Sequence, residues 1–123
     1  MNQTWSGLVL TDLLGRAATL KGEDDWEPLR PGVHIRHLYQ NGNDGPSAAL
    51  LRYQPGASVP YHEHRGYEHI LVLDGVQSDE RGRYPTGTLV INPPHTGHRV
   101  WSDDGCVVLI IWEQGMPFPA TFA

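Results

Sequence analysis

The sequence predicts an all-β fold, and three observations carry that prediction. From about residue 33 onward, short apolar runs alternate with turn signals, as they do in sandwiches and barrels. Fourteen glycines and ten prolines in 123 residues supply the many turns such a fold needs. Patterns with the length and period of a helix are scarce.

The elements follow in order. Residues 1–32 are the least legible part; within them, 11–20 reads as a short helix capped by Asp12, with Gly15 weakening it. Residues 33–39 form a candidate strand ended by the Asn41-Gly42-Asn43-Asp44-Gly45 turn, and 48–53 a second ended by Gln54-Pro55-Gly56. A strand carrying His62 comes next. Residues 68–73 run into Asp74-Gly75, 76–79 into Arg81-Gly82, and 88–92 into Pro93-Pro94. The last two strands are 98–102 and the apolar 106–112, separated by Asp103-Asp104-Gly105. No repeat, linker or low-complexity tract appears, so 1–123 reads as one domain, with a core over about 33–112 and an N-terminal arm over about 1–32.

Charge and composition exclude several function classes. A formal net charge of −5, with nine Lys and Arg that form no block, argues against a nucleic-acid surface. The single cysteine, Cys106, can make no internal disulfide and no thiolate zinc cluster; heading the most apolar run, it reads as a small buried residue. The N-terminus lacks the basic start and apolar run of a secretory signal, and no apolar stretch approaches membrane-spanning length. The expectation is a soluble, cytoplasmic protein.

Chemistry is concentrated between Gly56 and Gly75. His62 and His64 are two apart, so on an extended chain both imidazoles point to one face. Arg65-Gly66-Tyr67 then gives a break, after which Glu68 can return beside the pair and add an oxygen to two nitrogens. The full spacing is glycine, five residues, His-x-His, three residues, Glu, six residues, glycine. A second pattern follows: Gly87, five residues, Pro93, and His98 five positions beyond that proline.

Together these two patterns resemble the paired motifs of the cupin superfamily. The resemblance implies a double-stranded β-helix, or jelly-roll barrel, with a metal ion held by His62, His64, Glu68 and His98. In this chain His95 stands where the superfamily usually has glycine, and Ser102 where it often has asparagine. Further residues, among them Asp79, Glu80, Gly82, Tyr84, Gly87 and Asn92, resemble the ChrR-like subgroup over roughly 26–112. That subgroup includes the cupin domain of zinc-binding anti-sigma factors and, more distantly, stand-alone dioxygenases acting on β-diketones and aryl ketones.

Two functions follow as expectations. One is a metal-dependent dioxygenase, with iron, acting on a small carbonyl compound; the other is a non-catalytic metal-binding sensor. Three imidazoles and a carboxylate suit Fe, Mn, Ni or Zn, and affinity order alone does not choose among them. Glu68 is either an inner ligand or a carboxylate that orients a histidine. Partners are a small-molecule ligand or substrate and, by analogy, a second copy in a homodimer; the sigma-binding helical domain of the anti-sigma members is expected to have no room in this chain. His69 alternates to the opposite face from Glu68, His34 and His37 carry no spacing signal, and His95 either adds a polar group at the site mouth or merely sits in the loop. Trp5, Trp26, Trp101 and Trp112 read as core or interface packing, and Tyr53, Tyr61 and Tyr67 flank the motif, either lining the pocket or simply packing.

Overall fold

A computed structural model describes residues 6–115. Its elements, in chain order, are helix α1 (Leu13–Lys21) and strands β1 (Glu27–Arg30), β2 (Val33–Gln40), β3 (Ser47–Tyr53), β4 (Ser58–Glu63), β5 (Glu68–Asp79), β6 (Gly82–Pro85), β7 (Leu89–Asn92), β8 (Gly97–Trp101) and β9 (Cys106–Trp112). All the pairings are antiparallel, in the order β1-β2-β3-β9-β5-β8-β4, with β6 and β7 also pairing β5. The expected all-β barrel is therefore what forms.

β5 joins the two walls. Its first half lies between β7 and β9, and its second half pairs with β6 and β8. The sequence suggested two strands split at Asp74-Gly75. One strand runs through instead, bent where the β5–β9 register shifts between Val72 and Asp74. Gly75 sits at φ 83°, and a Cβ there would collide with the Gly105 carbonyl, so the bend needs glycine.

Alternation along the strands builds two apolar layers. Inside the barrel, Val33, Ile35, Leu51, Ile70, Val108 and Ile110 pack into one core. Outside it, Leu50, Leu73 and Val107 are covered by Ala17 and Leu20 of α1 and by Trp26. β3 thus buries side chains on both faces, which is why it reads as an unbroken apolar run. Each such large side chain contributes about 1.5–3 kcal/mol of burial.

The helix needs one correction. Asp12 occupies the residue before it but lies in the left-handed region (φ 52°, ψ 45°) and makes no side-chain capping bond. A capping side chain needs an extended backbone to reach the N–H groups of the first turn. Asp12 instead places its carboxylate where a Cβ on Gly15 would be, so Gly15 makes room for that turn. Strands β1 and β6 were not foreseen, because neither shows an apolar alternation: in β1 only Leu29 is fully buried, and in β6 no residue is.

Candidate metal centre

Four side chains meet at one end of the barrel. His62 lies on β4, His64 one residue past its end, Glu68 at the start of β5, and His98 on β8 directly across from His62. One donor atom from each lies within 4.8 Å of the others, close enough for a single ion to be held by all four. His64 Nε2 is 3.0 Å from Glu68 Oε1 and 3.2 Å from His98 Nε2, and His98 Nε2 is 3.6 Å from the same carboxylate oxygen. The ring centroids are 4.6 to 5.3 Å apart. His64, Glu68 and His98 are buried, and His62 is partly exposed.

Gly97 permits the close approach of β8 to β4. A Cβ there would strike the Tyr61 ring and the His62 carbonyl, forcing the two histidine-bearing strands apart.

The outer nitrogen of each ring is already engaged. His62 Nδ1 donates to the Pro60 carbonyl at 3.0 Å, and His98 Nδ1 donates to Asp79 Oδ2 at 3.0 Å. His64 Nδ1 lies 3.1 Å from Thr96 Oγ1, whose own hydrogen goes to the Pro93 carbonyl at 2.7 Å. Thr96 must therefore accept, so His64 too carries its proton on Nδ1. Three bare Nε2 lone pairs and a carboxylate oxygen then converge on one point. Such a set is mutually repulsive until a cation or proton sits among it, and outward Nδ1–H bonds are the arrangement that metal-holding imidazoles use. The residues present fit a divalent ion.

Glu68 is clamped at both oxygens. Asn92 Nδ2 donates to Oε1 at 3.1 Å, and the Trp112 indole donates to Oε2 at 2.9 Å. Burial works to raise its carboxyl, but a proton on His64 Nε2, and the charge of any neighbouring imidazole that is protonated, outweigh it and hold the group below the usual carboxylate range. Burial pulls His62 below the ordinary histidine value, which keeps that ring neutral.

The other residues singled out in the sequence separate clearly. His95 is exposed and outside the four-donor group. Its φ of 69° explains why glycine suits this position in the superfamily pattern. Its backbone N–H donates to the His64 carbonyl, and Thr96 accepts from the His64 N–H, so the loop brackets His64. Ser102 donates to the Val76 carbonyl at 2.6 Å and pins the end of β8 to β5. His69 faces away from the centre, opposite the buried Glu68 and Ile70, while His34 is partly buried on β2 and His37 exposed. Cys106 is buried, and burial pushes its thiol up to about 11. Trp26 packs under α1 and Trp101 under Arg99, whereas Trp5 lies outside the described residues. Trp112, read from the sequence as packing, also holds Glu68. Asp79, Asn92 and Thr96 had no assigned role. Only Asp79 and Asn92 left a trace, as members of the subgroup resemblance.

A cavity of about 10 Å³ lies on the inner side of the centre, lined by His62, Glu68 and His98 on one side and by apolar residues, Tyr53 and Gln77 on the other. That is space for about one water. Tyr53 lines it, but Tyr61 and Tyr67 are exposed.

The family model described as the ChrR Cupin-like domain matches residues 15–115. The anti-sigma-E factor ChrR of Cereibacter sphaeroides is 33% identical over 112 residues, covering 89% of this chain and 50% of that protein, so the chain spans half the length of this curated relative. Among solved structures, the complex of SigE with the anti-sigma ChrR from Rhodobacter sphaeroides matches with a TM-score of 0.64 and 25% identity, over 89% of this chain and 70% of that one. An acetylacetone dioxygenase from Acinetobacter johnsonii matches with a TM-score of 0.70 over 92% of this chain and 76% of that one, but at 10% identity, which shows the fold alone.

Proposed function

The chain belongs to the ChrR cupin-like family, and on that premise we propose that it is a metal-binding regulatory module. In this reading it holds one divalent ion and reports the state of that ion to a protein partner. His62, His64 and His98 would bind through Nε2 and Glu68 through its carboxylate. The ion would supply a Lewis-acidic charge that draws in a small donor ligand or an oxidant. The chain's own part is mechanical. Ion binding would tie β4, the loop after it, β5 and β8 at one point, and its release would leave the converging lone pairs to push those elements apart. A sigma factor is the class of partner that the named relatives support. Among the described residues, no helix is long and apolar enough to cross a membrane, and the proposed site of action is the cytoplasm. The homodimer expected from the resemblance is a separate proposal, checked by the mass in solution.

The observation that carries regulation over turnover is the 33% identity to the anti-sigma-E factor ChrR, against 10% to the acetylacetone dioxygenase. The cavity of about 10 Å³ that the described residues leave on the inner side of the centre has room for about one water. The second reading, an iron dioxygenase cleaving a small carbonyl compound, is favoured by the fold shared with the acetylacetone dioxygenase. Oxygen consumption separates the two. Protein loaded anaerobically with Fe(II), then offered air and a panel of small β-diketones and hydroxyaryl ketones, should retain iron and show no sustained uptake above the metal-free protein. Uptake that scales with substrate overturns the regulatory reading in favour of the enzyme.

A further inference from the structure

Beside the four donors lies a segment, residues 79–84, that joins two of them from outside. The Asp79 carboxylate is buried, and its Oδ2 accepts from His98 Nδ1. Its Oδ1 accepts from the Tyr84 hydroxyl at 2.8 Å and from the Arg81 backbone N–H at 2.8 Å. Arg81 Nη2 then donates to Asp79 Oδ2 at 3.0 Å and to Asn92 Oδ1 at 3.1 Å. Asn92 in turn donates to Glu68 Oε1. One guanidinium nitrogen therefore ends two paths, through Asp79 to His98 and through Asn92 to Glu68. The neighbouring Glu80 fixes the same region, accepting from the backbone N–H of Arg99, the residue after His98.

We propose that Arg81 is a positioning residue of the centre, locking His98 and Glu68 into one unit by holding both of their outer partners at once. The inference rests on the metal-binding reading and deepens it. Asp79 orients His98, and Asn92 together with Trp112 orients Glu68; Arg81 sets the distance between Asp79 and Asn92. About half of its side chain is exposed, at 51%, beside an Asp79 side chain at 1%, so it reaches from an open surface cleft to the buried site. A simple surface ion pair would contribute little and leave the centre unchanged. Positioning predicts something different, and the sign of the effect is diagnostic. Arg81 is a cation close to a cation site, so removing its charge alone would tighten ion binding. Removing its hydrogen bonds should weaken it.

The test compares Arg81→Ala and Arg81→Lys with Arg83→Ala, which removes the same charge from the same cleft. Metal-free proteins are titrated with Co(II) against a chelator, reading both the dissociation constant and the visible spectrum of the ion, and the chelated proteins are melted as a check of fold. Arg81→Ala should bind about 10–100-fold more weakly with a shifted spectrum, the usual effect of losing an outer-sphere partner. Arg81→Lys should fall between it and the wild type, since an ammonium does not reproduce the planar fork. Arg83→Ala should stay within about twofold of wild type with an unchanged spectrum. Equal or tighter binding by Arg81→Ala, or a lowered melting point with affinity and spectrum unchanged, overturns the positioning role. Wild-type protein that takes up no ion overturns the metal-binding reading itself, and this inference with it.

Discussion

β4 and β8 bring histidines to the same point and hold them in opposite ways. His62 is partly exposed on β4, which ends the strand order, and its ring is oriented by a carbonyl only two residues back, that of Pro60. His98 is buried on β8 and oriented by Asp79, a charged group nineteen residues away on β5 and itself held by Tyr84 and Arg81. One side of the centre is built by local chain geometry, the other by a tertiary network. The difference teaches which side should carry stability when no ion is bound.

The largest expected effect separates the two histidines. His62→Ala and His98→Ala should both lose most of their ion, because no distant side chain can replace a donor. In the metal-free proteins they should part. His98→Ala takes a buried donor from the Asp79 carboxylate, leaving Tyr84 and Arg81 to hold it, and should cost about 1–3 kcal/mol, whereas His62→Ala frees a carbonyl near solvent and should cost under about 1 kcal/mol. Urea unfolding in the presence of a chelator measures both; equal costs would break the comparison.

A second experiment sharpens it at Glu68. Both carboxylate oxygens accept a hydrogen bond, from Asn92 and from Trp112. Glu68→Gln keeps one oxygen and turns an NH₂ toward one of those donors. It should retain the fold and part of the ion affinity, at a cost of about 1–3 kcal/mol in stability. Trp112→Phe keeps the charge but loses the indole donor, and should destabilise by a similar amount while retaining more of the ion. Ion affinity and unfolding free energy, measured on both variants, test the ranking.

Much of this arrangement was legible in the sequence. His62, His64 and Glu68 stand at spacings that strand alternation and one turn can bring together, and His98 was reached through the resemblance to the second cupin motif. Their supports could not be read from the chain. Asp79 sits in a polar segment, and nothing local says that its carboxylate turns inward to His98. Trp112 looks like one more apolar residue of β9 until its register with Glu68 on β5 is known. The bend in β5 was misread for a related reason: Asp74-Gly75 is a strong turn signal locally, but pairing with β9 on both sides of the bulge carries the strand through. β1 is held by its pairing to β2 rather than by any apolar pattern of its own.

The smallest expected effect is the response to acid. His62 has its ordinary value of 6.5 lowered by burial, so the unfolded chain binds its proton first. Its contribution is present above about 6.5 and is lost as pH falls from there towards the lower folded value. Glu68 and Asp79 are depressed below 4.5 and 3.8, and their contribution is lost only as pH falls further, through their folded values. Ion release should therefore begin below about pH 6, as protons compete for imidazole, with the fold intact until more acid conditions. Metal content after dialysis, beside circular dichroism across pH 4–8, reads the two steps; simultaneous loss of ion and fold would mean that the histidines and carboxylates do not act separately.

If these four residues form one ion site, the chain takes up one ion and no more at that point, and metal stoichiometry reads it. Metal-free wild-type protein, incubated with Zn(II) or Co(II) and freed of excess, should hold one ion per chain by elemental analysis, and His98→Ala should hold about a tenth of that or less. Wild-type protein without a tightly held ion, or His98→Ala with undiminished content, would mean that these residues do not form an ion site.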